Sequence, residues 1–147
     1  MAGNGGEGMS RKWNISLTYE PKIEPVREGK ITQTIRTIGK SGPKREGDLI
    51  SLHGWKDRPY HSSWSWRMPY KKITEAISCE IYDAGMYIDP EWCKKASGKF
   101  WWSDLDWLAA LDGIVPATGE ELKQVLSIKN NLSNCCGKDA QIIRWLP

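Results

Sequence analysis

Long apolar runs are missing from this 147-residue chain. No stretch approaches the ~20 residues that a bilayer-spanning helix needs. The opening MAGNGGEGMSRKW has no apolar segment either, so it does not read as a secretory signal. Both absences predict a soluble, cytoplasmic protein with no membrane partner. Histidine occurs only as His53 and His61, and cysteine as Cys79, Cys93, Cys135 and Cys136. Zinc sites place such residues in short-spaced pairs, and here two cysteines lie far apart and two are adjacent. No metal and no cofactor is expected, and the cysteines read as reduced thiols. Phenylalanine occurs once, against nine Trp and five Tyr. Aromatics at that level exclude wholesale disorder, and Trp and Tyr must fill the core.

One domain is the expectation for this length. Residues 1–12, Gly-rich at first, read as a flexible leader, and residues 13–147 as the domain. The net charge of +3 hides an asymmetry. Residues 11–72 carry 14 Lys and Arg against 6 Asp and Glu; residues 73–147 carry 7 against 11. A basic half rich in Trp suits phosphates and bases. Folding equally well intermixes such halves, so charge alone does not decide.

Period-two alternation marks strands at Trp13–Tyr19, Ile31–Ile38, Asp48–Trp55, Ser63–Tyr70 and Ile73–Tyr82, with a last strand at Ala140–Leu146. Pro21 and Pro25 limit Glu20–Glu28 to a short turn of helix, closed by Gly29. In the second strand Ile31, Gln33 and Ile35 share one side, and Thr32, Thr34 and Arg36 the other. Trp64 and Trp66, two residues apart, are expected on one face. Residues 83–102 show no readable period. Ser103 reads as the cap of a helix through Leu111 with Leu105, Leu108 and Leu111 inward. Thr118 and Glu121 form a capping box for a second helix, with Leu122, Val125 and Leu126 inward. The pattern predicts an α+β fold: a small β-barrel of five to six strands with two or more helices packed on it.

Arg36 is the residue most suited to chemistry, because a guanidinium grips phosphate or carboxylate with two parallel bonds. A surface salt bridge is its alternative role. Asp112, at a helix end, is not favoured by the helix dipole, which leaves room for a functional reason. Lys40, Lys44 and Arg45 in one loop, and Lys56, Arg58 and His61 in another, are positioned to follow a phosphate backbone or to be plain solvated charge. Trp66 and Trp64 are candidates for base stacking, with core packing the alternative.

The run Gly29-Lys30-Ile31-Thr32-Gln33-Thr34-Ile35-Arg36, followed by a loop and Gly47-Asp48, resembles the motif of the ASCH family, a branch of the PUA-like β-barrels. Leu108–Gly113 is similar to that family's helix-end element, Leu122–Leu126 to its next helix, and Ile142–Trp145 to its closing strand. The resemblance implies a PUA-like barrel with a cleft between the motif strand and the helix end. It also implies a binding site for RNA or a nucleotide-like ligand. One branch hydrolyses the amide of N4-acetylcytidine with a Lys, a Thr and a Glu. Carried over, the Thr falls on Thr34, the Glu on Asp112 and the Lys on Ile31, which has no amine. Lys30 is adjacent, but pleating turns it away unless a bulge re-aims it. The leading expectation is a binding module for RNA, a nucleotide or a nucleoside, with Arg36, Thr34, Thr32 and Lys30 lining the cleft, Asp112 facing them, and Trp66, Lys44 and Arg45 adding contacts. A metal-independent amide hydrolase using Thr34, Asp112 and Lys30 is the alternative. A protein-interaction module without ligand is the second alternative.

Overall fold

The computed structural model describes residues 10–55, 63–130 and 137–147. Most of the expected leader, the loop residues Lys56, Arg58 and His61, and the pair Cys135 and Cys136 lie outside the described residues. Order begins before Trp13. Strand β1 spans Lys12–Ser16, and the Arg11 guanidinium donates to the Ser41 carbonyl at 3.0 Å.

The chain is an α+β fold in which, among the described residues, eight strands form one barrel-like sheet with four helices packed on it. Helix α1 (Glu20–Arg27) is followed by β2 (Gln33–Thr37), β3 (Leu49–Trp55), β4 (Trp64–Arg67) and β5 (Lys71–Ile81). Then come β6 (Gly85–Ile88), α2 (Pro90–Cys93), β7 (Lys99–Trp101), α3 (Asp106–Leu111), α4 (Gly119–Asn130) and β8 (Lys138–Trp145). Strand β3 pairs in parallel with β1 and antiparallel with β4 and β5. The long β5 also pairs with β6 and β8, β6 with β7, and β8 with β2. Strands β6 and β7 add to the expected count. They fall in the segment without a period because four- and three-residue strands are too short to show one.

Two expectations about helices need correction. Glu20–Glu28 holds an eight-residue helix rather than a bare turn. Pro21 sits at its start, where a missing N–H costs nothing, so only Pro25 removes an internal bond. Its end is a paired cap: Gly29, at φ +78°, donates to the Val26 carbonyl and Lys30 to that of Pro25. Ser103 does not cap α3; it lies in a 3-10 turn, Trp102–Asp104. The Asp106 carboxylate instead accepts from the Gly119 N–H at the start of α4. Leu111 is exposed, while Leu105 and Leu108 are fully buried. Thr118 does cap α4, accepting from the Glu121 N–H at 3.2 Å.

Apolar residues gather in two cores. Ile35, Ile77, Ile81, Ile142 and Ala140 meet α3 and α4 through Leu105, Leu108, Leu122 and Leu126. Ile50, Leu52, Ile73, Ile143 and Trp145 meet α1 through Val26 and Ile23. Strand β8 serves both, because its alternate side chains point to opposite faces and both are covered.

Candidate functional site

Strands β1 and β2 share no ladder among the described residues. A side chain reaches between them: Arg36 Nη2 donates to the Ser16 carbonyl at 2.8 Å, and its Nε donates to Thr34 Oγ1 at 3.1 Å. The end of α3 and the start of α1 meet at this seam. Tyr19 ties them, its hydroxyl donating to the Val115 carbonyl and accepting from the Val115 N–H. That clamp brings α1 against the α3 end and puts Lys22 beside Asp112.

Lys22 Nζ lies 3.1 Å from Asp112 Oδ2, and both side chains are buried. Gln33 Nε2 donates to Asp112 Oδ1 at 3.3 Å. The other amide atom, Gln33 Oε1, is buried without a hydrogen-bond partner among the described residues. Lys22, Thr34, Arg36 and Asp112 line one hollow with Leu17, Tyr19 and Ile35. Its volume is about 20 Å³, the space of roughly one water molecule. The expected cleft is therefore a narrow slot between the two cores.

Burial dominates the electrostatics. It draws Lys22 below the usual amine range, and Arg36 adds to this, while Asp112 opposes it. Burial likewise pushes Asp112 above the usual carboxylate range, against Lys22, Gln33 and Arg36. Each group is moved toward its neutral form, as desolvation requires.

A cationic cluster adjoins the seam. The Trp13 ring is approached by the Arg11 guanidinium, 4.2 Å from its centroid, and by Lys44 Nζ, 4.4 Å from it. Burial lowers Lys44, then Arg36 and Arg11 lower it further, with Asp48 opposing. Asp48 anchors this corner by accepting from Trp13 Nε1 and from the N–H groups of Arg11 and Arg45. Burial alone raises Asp48, and those donors overcome it, holding the carboxyl below its ordinary range.

The structure thus brings Thr34, Arg36 and Asp112 together, with Lys44 close enough to Arg36 to feel its charge. It does not bring Lys30 in: that ammonium is exposed and pairs with Glu28 at 3.2 Å. Thr32 is not on the hollow; its carbonyl accepts from the Trp145 N–H. The Arg45 side chain is exposed, and its backbone N–H is held by Asp48. Trp66 lines a different depression, of about 340 Å³, with Leu17, Ile23 and Gly54.

Trp64 and Trp66 do not share a face. The β3–β4 register skips Ser65, pairing Gly54 with Trp66 and Trp55 with Trp64. That bulge puts Trp64 on the His53 side, while Trp66 covers Gly54, where any Cβ would run into its indole.

Sequence reasoning missed Lys22 and Gln33. Lys22 precedes Val26 by four residues, so it lies on the buried stripe of α1. Gln33 sits between Ile31 and Ile35 on the apolar side of β2. A polar residue on an apolar stripe was the available signal in both.

Among the described residues, no helix is long and apolar enough to cross a membrane, and no three His, Cys, Asp or Glu residues are grouped to hold a metal. Fold and seam define a mixed α+β domain with a barrel-like sheet and a buried polar cluster at its unladdered edge. A scan of protein-family models gives no match, and neither curated proteins nor solved structures match the chain.

Proposed function

We propose that this chain is a cytoplasmic, ASCH-like domain that binds RNA or a nucleotide-like ligand at the seam between β2 and the end of α3. The observation that carries the reading is the convergence of Arg36, Thr34, Lys22 and Asp112 on one slot. Ile31 supports the ASCH-like reading by its place: it packs against Gly113, where a Cβ would lie 3.1 Å from Ile31 Cγ1. This contact between the segment before β2 and the end of α3 supports the reading. A slot of about 20 Å³ admits no base or ribose. Only a small polar group of the ligand enters, and the rest lies outside, near Arg36, Lys44 and Arg11. These cations suit a phosphate, since charge-assisted bonds to an anion contribute about 1.5–3 kcal/mol each.

The test is binding of uridine monophosphate and of a short RNA at low salt, to wild type and Arg36→Ala. Binding that weakens with salt and falls about tenfold or more in the variant is expected. Equal binding by both proteins, or none by wild type, overturns the reading.

One observation favours amide hydrolysis as a second reading. Lys22, from α1, places an amine beside Asp112 and Thr34, where position 31 has none. An amine drawn toward its neutral form is the state a nucleophile or base requires. Water would add across the amide C–N bond of an N4-acetylcytidine-like substrate, releasing acetate and the nucleoside amine. Acetate release by wild type, abolished in Thr34→Ala and unaffected in Lys30→Ala, is the expected result. No release by wild type overturns this reading and leaves the binding reading untouched.

A further inference from the structure

We infer a second nucleic-acid contact surface, on the face of β1, β3 and β4 that carries Lys12, His53, Trp64, Arg67 and Tyr70, with single-stranded RNA as its partner. The bulge at Ser65 creates it by bringing Trp64 to this side. Helix α1 packs on the opposite face of β3, with Ile50 and Leu52. Ser51 and His53 point the other way, and the side chains above them are aromatic and cationic.

The arrangement is built. Trp64 stacks on His53, with ring centroids 3.9 Å apart and planes 20° from parallel, and Trp64 keeps 39% of its surface exposed. His53 is only 4% exposed, and neither of its ring nitrogens has a hydrogen-bond partner among the described residues. The Arg67 guanidinium lies 5.4 Å from the Trp64 centroid and 4.7 Å from that of Tyr70. Its Nε donates to Ser51 Oγ, which fixes it beside both rings. Lys12 Nζ lies 5.4 Å from the far ring, and Tyr70 is held by its hydroxyl donating to Asn14 Oδ1.

Two oriented rings with a guanidinium close to both and an ammonium near Tyr70 offer contacts for bases and phosphates. Single-strand binders use this pairing of stacking platform and cationic track. Charge complementarity selects the partner. Lys12 and Arg67 are exposed on this face, and burial, then Arg67 and Arg36, lower His53 beneath it. Arg36 also acts on Lys22 and Asp112, which makes it the link between this face and the seam. The inference takes its ligand class from the proposed function, but its surface is separate from the slot.

The experiment measures the affinity of a fluorescein-labelled 12-mer of oligouridylate and of uridine monophosphate for wild type, Trp64→Ala, Trp64→Phe and Arg67→Gln. Circular dichroism checks that each variant is folded. Trp64→Ala is expected to weaken the 12-mer about tenfold, as loss of one stacked base implies, and Trp64→Phe to restore most of it. Arg67→Gln is expected to weaken the 12-mer and reduce its salt dependence. Uridine monophosphate binding is expected to stay unchanged in all three. Folded variants that bind the 12-mer as wild type does overturn the inference, and so does a wild type that does not bind the 12-mer at low salt. If the 12-mer binds and Trp64→Ala weakens it, but uridine monophosphate does not bind, this surface stands and the seam reading falls.

Discussion

Two junctions of the sheet are built from opposite chemistry. Between β5 and β8, eight residue pairs run from Ile73 to Ile81, with one register shift between Ile73 and Glu75, and isoleucines pack on both faces. Between β1 and β2 there is no described ladder, and the joint is made by Arg36 across to Ser16, with Lys22, Gln33 and Asp112 buried behind it. Backbone pairing and apolar packing suffice to hold a sheet. A buried ion pair is often no more stabilising than apolar residues of the same size, because desolvation cancels much of the attraction. The proposed function assigns the polar joint to ligand binding, since its contribution to folding is small.

That contrast can be broken at either junction. The largest effect is expected from Asp112→Ala, which leaves Lys22 buried without its partner. Urea unfolding should show a loss of about 3–5 kcal/mol. Next is Ile142→Ala in the apolar joint, where a cavity should cost about 2–5 kcal/mol while nucleotide binding by the folded protein is kept. Thr118→Ala removes the α4 cap, and a loss of about 0.5–2 kcal/mol is expected from the same measurement.

A pH series sharpens the comparison at the cationic corner. Asp48 is held below its ordinary value of 3.8 in the folded chain. Its contribution is therefore present above that pH and is lost as pH falls through the lowered folded value. Stability of Asp48→Asn should be lower than wild type near neutrality, with the gap closing in acid. A gap that stays constant with pH would show that the donors around Asp48 do not act through its charge.

Much of the fold was legible because its signals are periodic. The alternation of Trp13, Ile15 and Leu17 marked β1, and Thr118 with Glu121 marked the start of α4. Gly29 marked the end of α1, although Pro25 disguised its length. What escaped was short or non-local. Strands β6 and β7 have too few residues to show alternation. The face of Trp64 depended on a bulge at Ser65, which no local pattern announces. At the site, Thr34, Arg36 and Asp112 were readable from β2 and the α3 end. Lys22 was not, because its partner lies 90 residues away. Lys30, nearer in sequence to the expected amine position, points to solvent, as the alternation along the chain already implied.

The central claim is that the polar joint serves a ligand and is dispensable for the fold. The direct test is the triple substitution Lys22→Met, Gln33→Leu and Asp112→Leu, which replaces the ion pair and the buried amide bonded to it by apolar side chains, followed by urea unfolding and by binding of uridine monophosphate and the RNA 12-mer. The account predicts stability within about 1 kcal/mol of wild type or higher, with uridine monophosphate binding lost. Unchanged stability with unchanged uridine monophosphate binding would contradict it.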